Sequence, residues 1–198
     1  MAEEQNLPEG QAKKDKKKKE KEHPGRYKSE LFNWGESLIS VLIFFVLSFI
    51  FFVRMIGVDG SSMYPTLEDH NIMLTSNLNY HPARGDIVVL NKETFWNGLP
   101  IVKRIIGVGG DTIDINFDRG EVWVNGELLD EPYIAEPTFK QDDVDFPQVV
   151  PEGCVFVMGD NRNGSTDSRN SMLGMVDERY ILGHVLTVIY PFDKIGAL

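Results

Sequence analysis

The chain of 198 residues has room for one sizeable domain and little besides. A formal charge of −10 and a single cysteine argue against a basic nucleic-acid binder and exclude a disulfide-stapled scaffold. The 42% of apolar residues is ordinary for a globular protein, but those residues are unevenly spread.

Residues 13–28 hold nine Lys or Arg against Asp15, Glu20 and Glu22, mostly in KKDKKKKEKE. Such a low-complexity segment cannot build a core, so residues 1–36 read as a basic, disordered tail. A nucleic-acid-binding tail is the competing reading. The apolar run that follows accounts for the charge without it, through the excess of Lys and Arg on the cytoplasmic side of membrane spans.

That run, Leu38–Val53, reads LISVLIFFVLSFIFFV, with no charge and only two serines. With Ser37, and extended through Met55 and Ile56 past a snorkelling Arg54, it predicts a transmembrane helix over 37–56. A cleaved secretory signal would have a shorter apolar core nearer the N-terminus and small residues after it, whereas FFVRM follows here. Trp34 suits the headgroup layer. The N-terminus is then cytoplasmic, and residues 57–198 form an extracytoplasmic domain. From Arg54 onward the chain carries 22 Asp and Glu against 11 Lys and Arg, which disfavours a nucleic-acid partner.

Beyond the run the chain reads as short strands between turn residues: NIMLTSN, GDIVVLN, LPIVKRIIGV, GDTIDIN, GEVWVNGELL, GCVFVMGD and HVLTVIY. Asn125-Gly126 predicts a tight type I′ hairpin. Residues 132–150, with three prolines and three aspartates, read as a surface loop. Cys154 lies in a strand-like alternation and reads as a small buried hydrophobe. An extracytoplasmic domain without a disulfide fits a bacterium that does not rely on oxidative folding.

The stretch 58-VDGSSMYPTL-67 raises the question of a nucleophile, since one of two adjacent serines needs a base to attack anything. His23 lies in the basic tail, and His70, His81 and His184 fall in no motif that holds them against Ser61 or Ser62. Their spacing matches no zinc pattern and no CxxC accompanies them, so metal chemistry is unsupported. A lysine base must be neutral, which requires an apolar setting that penalises its ammonium form. Lys194, in PFDKIG, has an acid beside it. Lys103 sits inside IVKRIIGV, where strand alternation separates it from Arg104. The residues alone leave two readings open for Lys103: a desolvated base, or half of an ordinary Lys-Arg pair on an edge strand. The third polar concentration is 158-MGDNRNGSTDSR-169, either an Asx-rich turn or a loop that positions functional groups.

The blocks GSSMYPTL, RGDIVVL, VKRIIGVGGDTI and GDNRNGSTDSR, in this order behind one anchor, resemble the type I signal peptidases, particularly the single-anchor enzymes of Gram-positive bacteria. The resemblance implies a mainly β fold, with one N-terminal transmembrane helix followed by an antiparallel β-sheet catalytic domain. It implies Ser62, the serine before Met63, as nucleophile and Lys103 as general base, with no metal or organic cofactor. Ser165 would orient the lysine amine by a hydrogen bond. Arg104, Asp160, Asp167 and Arg169 would form an ionic scaffold. Val58, Gly60 and Val102 would contact substrate, a secretory preprotein whose signal peptide ends in an A-x-A-like pattern and lies as an added β-strand. Membrane lipid and the secretion translocon would be neighbours, with Met55, Ile56 and Met63 dipping into the headgroup layer.

Three positions depart from the pattern. Gly60 replaces a serine that supplies a hydroxyl in one branch of the family, Ser61 stands where relatives often carry Asp, and Gly164 replaces a frequent Asn. Other readings are a histidine-based relative, which needs His at position 103, and a self-cleaving repressor, for which a DNA-binding module is lacking. A tethered β-domain that binds exported peptides without cutting them is a further alternative.

Overall fold

The computed structural model describes residues 24–196 and, within its first helix, the side chains of residues 32–48. The chain divides into two units at Ile50/Phe51. The first holds all but the last two residues of α1 (Pro24–Phe52), a helix of 29 residues. The helix therefore begins inside the segment expected to be a disordered tail, with proline at its first position, where no N–H is needed. The rest of that tail lies outside the described residues. Among the described residues no helix is long and apolar enough to cross a membrane.

The helix expected over 37–56 ends at Phe52. Val53–Gly57 instead form β1, paired antiparallel with β2 (Ile72–Ser76) from Val53↔Ser76 to Gly57↔Ile72. A ladder of backbone hydrogen bonds and a β-branched Val53 favour extension there, and apolar character alone could not distinguish this strand from a continuing helix.

The remaining strands are β3 (Ile87–Leu90), β4 (Ile101–Val108), β5 (Thr112–Asn116), β6 (Glu121–Val124), β7 (Glu127–Leu128), β8 (Gln148–Val149), β9 (Cys154–Met158), β10 (Val176–Asp177) and β11 (Ile181–Tyr190). They build a seven-stranded sheet in the order β1-β2-β11-β3-β4-β9-β10 and a four-stranded sheet in the order β7-β6-β5-β8. Every pairing is antiparallel.

The central strand β3 reads IVVL and is buried at every position. Both faces of the large sheet are covered there, which explains a continuous apolar run in an antiparallel setting. Val88 and Leu90 join one core with Ile105, Val157 and Leu173, while Ile87 and Val89 join another with Met63, Leu67 and Met73. Each such fully buried aliphatic side chain contributes on the order of 2 kcal/mol. A third core lies between the sheets, where Ile106, Phe156 and Met158 of the large sheet meet Ile113, Ile115, Val122 and Val124 of the small one. β5 alternates, with Ile113 and Ile115 inward and Asp114 and Asn116 outward.

Met63 is 1% exposed and belongs to the core, so it cannot dip into a lipid layer, whereas Met55 is 71% exposed. Cys154 is half-buried in β9, and burial raises its thiol pKa. Lys194 pairs with Glu68 at 2.6 Å. His184 stacks on Tyr80 with ring centroids 4.3 Å apart.

Asn125 and Gly126 link β6 to β7 with φ of 53° and 79°, the double positive φ of a type I′ turn. A Cβ on Gly126 would meet nothing within 4 Å, so Gly126→Ala tests backbone strain alone. The expected cost is about 1 kcal/mol, read as a lower midpoint of denaturant unfolding with activity retained.

Candidate active site

Ser62 lies in the turn after β1. Buried Met63 and Leu67 pin that turn to the core, and the Leu67 N–H donates to Met63 O at 2.9 Å, closing one helical turn. The Gly60 N–H donates to Asp69 Oδ1 at 2.9 Å. Lys103 lies in β4 opposite Val88 and is 3% exposed. Its Nζ stands 2.7 Å from Ser62 Oγ and 3.0 Å from the Val102 carbonyl oxygen. The fold thus brings together two side chains 41 residues apart.

Burial lowers the Lys103 pKa to about 8, against the opposing pull of the Asp167 and Asp160 carboxylates; Arg169 adds to the lowering. An amine in that range is neutral in a substantial fraction of molecules at mildly alkaline pH. Neutral, it accepts the Ser62 hydroxyl proton; charged, it donates to the hydroxyl oxygen.

Arg104, next along β4, takes a different partner. Its Nε and Nη2 donate to Asp160 at 2.8 and 2.7 Å, its Nη1 donates to Gly85 O, and its guanidinium lies 4.1 Å over the Tyr133 ring. Asp160 also accepts the Thr66 hydroxyl at 2.5 Å, which ties the serine turn to the same carboxylate. Asp167 and Arg169 form a second bidentate pair, fully buried, with both bonds at 2.8 Å. Burial would raise the Asp167 pKa, but hydrogen bonds from Arg169 and from the Gly159 N–H, with the Arg169 charge, hold it below its ordinary value.

Ser165 is buried close to these groups, yet its Oγ has no hydrogen-bond partner among the described residues. The expected bond to the Lys103 amine is not made; besides Ser62 Oγ, that amine contacts the Val102 carbonyl. Ser165 Oγ lies instead against Gly159, where an added Cβ would stand 2.5 Å from it and 2.4 Å from Ser62 O. Only glycine fits between the two serines.

Sequence reasoning passed over Gly159, Thr66 and Asn161. The Asn161 backbone N–H donates to Ser62 O and its Nδ2 to Ser61 O, each at 3.1 Å. It also passed over Arg162, which is fully buried, pairs with Glu131 and donates to Thr138. The signal for Gly159, Asn161 and Arg162 was the density of polar residues in one loop, which does not say which of them turns inward.

A cleft of about 510 Å³ opens beside Ser62 and Lys103, lined among others by Val58, Gly60, Phe95, Leu99 and Val102. Pairing of β4 with β9 begins only at Arg104, so among the described residues the β9-facing edge of Ile101–Lys103 carries no strand partner.

Residues 31–190 match the family model described as signal peptidase, peptidase S26. The chain belongs to this family. It is 37% identical over 178 residues to signal peptidase I S of Bacillus subtilis (strain 168), covering 84% of this chain and 93% of that protein. To a signal peptidase I of Bacillus amyloliquefaciens it is 39% identical over 188 residues, covering 90% and 97%. A crystal structure of a signal peptidase I from Enterococcus faecalis V583 is similar at 33% identity with a TM-score of 0.44, covering 55% of this chain and 98% of that one. The antiparallel β unit is thus a signal peptidase catalytic domain, and the protein is a serine peptidase.

Asp167→Ala would leave the Arg169 guanidinium buried and unpaired. The expected destabilisation is about 3–5 kcal/mol, measured by denaturant unfolding.

Proposed function

We propose that the protein is a membrane-anchored signal peptidase in which Ser62 attacks and Lys103 is the general base. It removes signal peptides from exported preproteins after an A-x-A-like site. The observation that supports the dyad best is the 2.7 Å separation of Lys103 Nζ and Ser62 Oγ, with the amine buried.

As the Ser62 Oγ–carbon bond forms at the scissile carbonyl, neutral Lys103 takes the hydroxyl proton. The carbonyl oxygen becomes an oxyanion, for which the Ser62 backbone N–H is the first donor. Collapse breaks the carbon–nitrogen bond, and the lysine proton passes to the leaving amine. Lys103 then activates water, and the ester to Ser62 is hydrolysed. The substrate backbone adds as a strand along the unpaired edge of Ile101–Lys103, with small side chains towards Val58 and Val102. Ser165, whose buried Oγ has no other partner among the described residues, is assigned the role of orienting the lysine amine. Arg104, Asp160, Asp167 and Arg169 hold the loop that carries it.

The anchor is the apolar run Leu38–Val53 carried largely by α1, which continues past Ser48, the last side chain described in that helix. The side chains of Leu38, Val41, Leu42, Phe44, Phe45 and Leu47 are all exposed, an apolar surface that suits lipid better than water. The basic tail places the N-terminus on the cytoplasmic side. The catalytic unit then meets substrates at the outer membrane surface near the translocon, with Met55 at the lipid.

Ser62→Ala and Lys103→Ala are expected to abolish cleavage of a secretory preprotein, and persistence in both would remove the dyad. Lys103→Arg should be equally inactive, because a guanidinium stays charged at any working pH. With the lysine pKa near 8, activity should rise with pH and level off above about 8, falling about tenfold per pH unit below it. An acid limb centred on an ordinary carboxylate pKa would contradict a lysine base. Full-length protein should remain with membranes after alkaline carbonate washing, and release would remove the anchor.

A further inference from the structure

The Ser61–Ser62 peptide unit is held from one side. Ser61 O accepts the Asn161 Nδ2 amide at 3.1 Å and, within its own turn, the Tyr64 N–H at 3.1 Å. The next carbonyl, Ser62 O, accepts the Asn161 backbone N–H at 3.1 Å. The Ser62 N–H makes no hydrogen bond among the described residues.

A trans peptide is planar, so a carbonyl and the N–H that follows it point in opposite directions. Fixing Ser61 O against the polar loop turns the Ser62 N–H away from that loop, at a residue that lines the cleft. We infer that Asn161 is a positioning residue for the oxyanion donor: its side-chain amide sets the peptide plane that aims the Ser62 N–H at the developing negative charge. This deepens the proposed mechanism and rests on Ser62 as nucleophile. Gly60 offers no side-chain donor two residues earlier, so the orientation of this one amide carries more of the stabilisation.

Room for the Asn161 amide comes from Gly164. A Cβ there would stand 2.6 Å from Nδ2 and 2.8 Å from Oδ1, and the Gly164 N–H donates to Asn161 O at 3.0 Å. Gly164→Ala therefore displaces the amide without deleting it.

The test compares wild type, Asn161→Ala, Asn161→Asp and Gly164→Ala on a peptide spanning a signal-peptide cleavage site. Inhibition is measured with a peptide aldehyde, which adds Ser62 Oγ to form a tetrahedral oxyanion, and with the matching product peptide, which does not. Asn161→Ala should lower kcat roughly 10- to 100-fold with KM nearly unchanged, since Tyr64 still holds Ser61 O. Aldehyde affinity should fall by the same factor while product-peptide affinity and the acid limb of the pH profile stay in place. Asn161→Asp should lose at least as much, because a carboxylate cannot donate to Ser61 O. Gly164→Ala should show the same pattern more weakly.

Retention of kcat within about twofold in both Asn161 variants would overturn the inference. So would equal losses for aldehyde and product peptide, or an acid limb that moves with kcat, which would route the effect through Lys103. Ser62→Ala separates the two levels: an active Ser62→Ala enzyme removes the nucleophile itself, whereas an inactive one beside unaffected Asn161 variants removes only the role of Asn161.

Discussion

The structure around the cleft depends on a lysine amine kept away from water. Bringing the Lys103 pKa from 10.5 to about 8 corresponds to a penalty on the ammonium form on the order of 3 kcal/mol. Burial supplies it, and two carboxylates work against it. The conflict is contained because each carboxylate already has a guanidinium: Asp160 takes Arg104 and Asp167 takes Arg169, both bidentate. A guanidinium stays charged in every protonation state of its surroundings, so these acids are compensated without help from Lys103. In a unit with twice as many acidic as basic side chains, this local neutrality has to be built residue by residue.

The same pairs also transmit position. Arg104 follows Lys103 along β4, and Asp160 joins Arg104 to Thr66, four residues after Ser62. The base-bearing strand and the nucleophile-bearing turn are thereby bolted to one carboxylate. Asn161, the next residue, grips two successive carbonyls of the turn. Ser62 and Lys103 themselves are joined only by their mutual 2.7 Å contact, so their separation is set by this frame. A misplacement of about 1 Å in such a pair can cost roughly 100-fold in rate, and this gives a buried ionic frame its function.

The strands with clear alternation or a diagnostic turn were legible in the sequence. TIDIN alternates as its burial does, and Asn125-Gly126 adopts the expected turn. β1 was not legible, because VRMIG continues an apolar run and only pairing with β2 makes it a strand. β8 and β10 have two residues each and carry no period. In the site, Ser62 and Lys103 came forward through motif resemblance, while their contact across 41 residues is a property of the folded sheet. Asn161 and Arg162 stand in the same polar loop as Asp160 and Asp167, and composition cannot rank neighbours that differ in the direction they face.

Gly159 shows how closely the two halves of the site meet. A single Cβ at that position would strike the Ser62 carbonyl and the Ser165 hydroxyl together. The loop can approach the serine turn closely enough for Asn161 to reach Ser61 and Ser62 only because nothing projects there. The approach also buries the Ser165 hydroxyl without a partner, which costs on the order of 1–3 kcal/mol. Tight contact between loop and turn, and an unspent hydroxyl within the same packed region as the Lys103 amine, thus follow from one missing side chain.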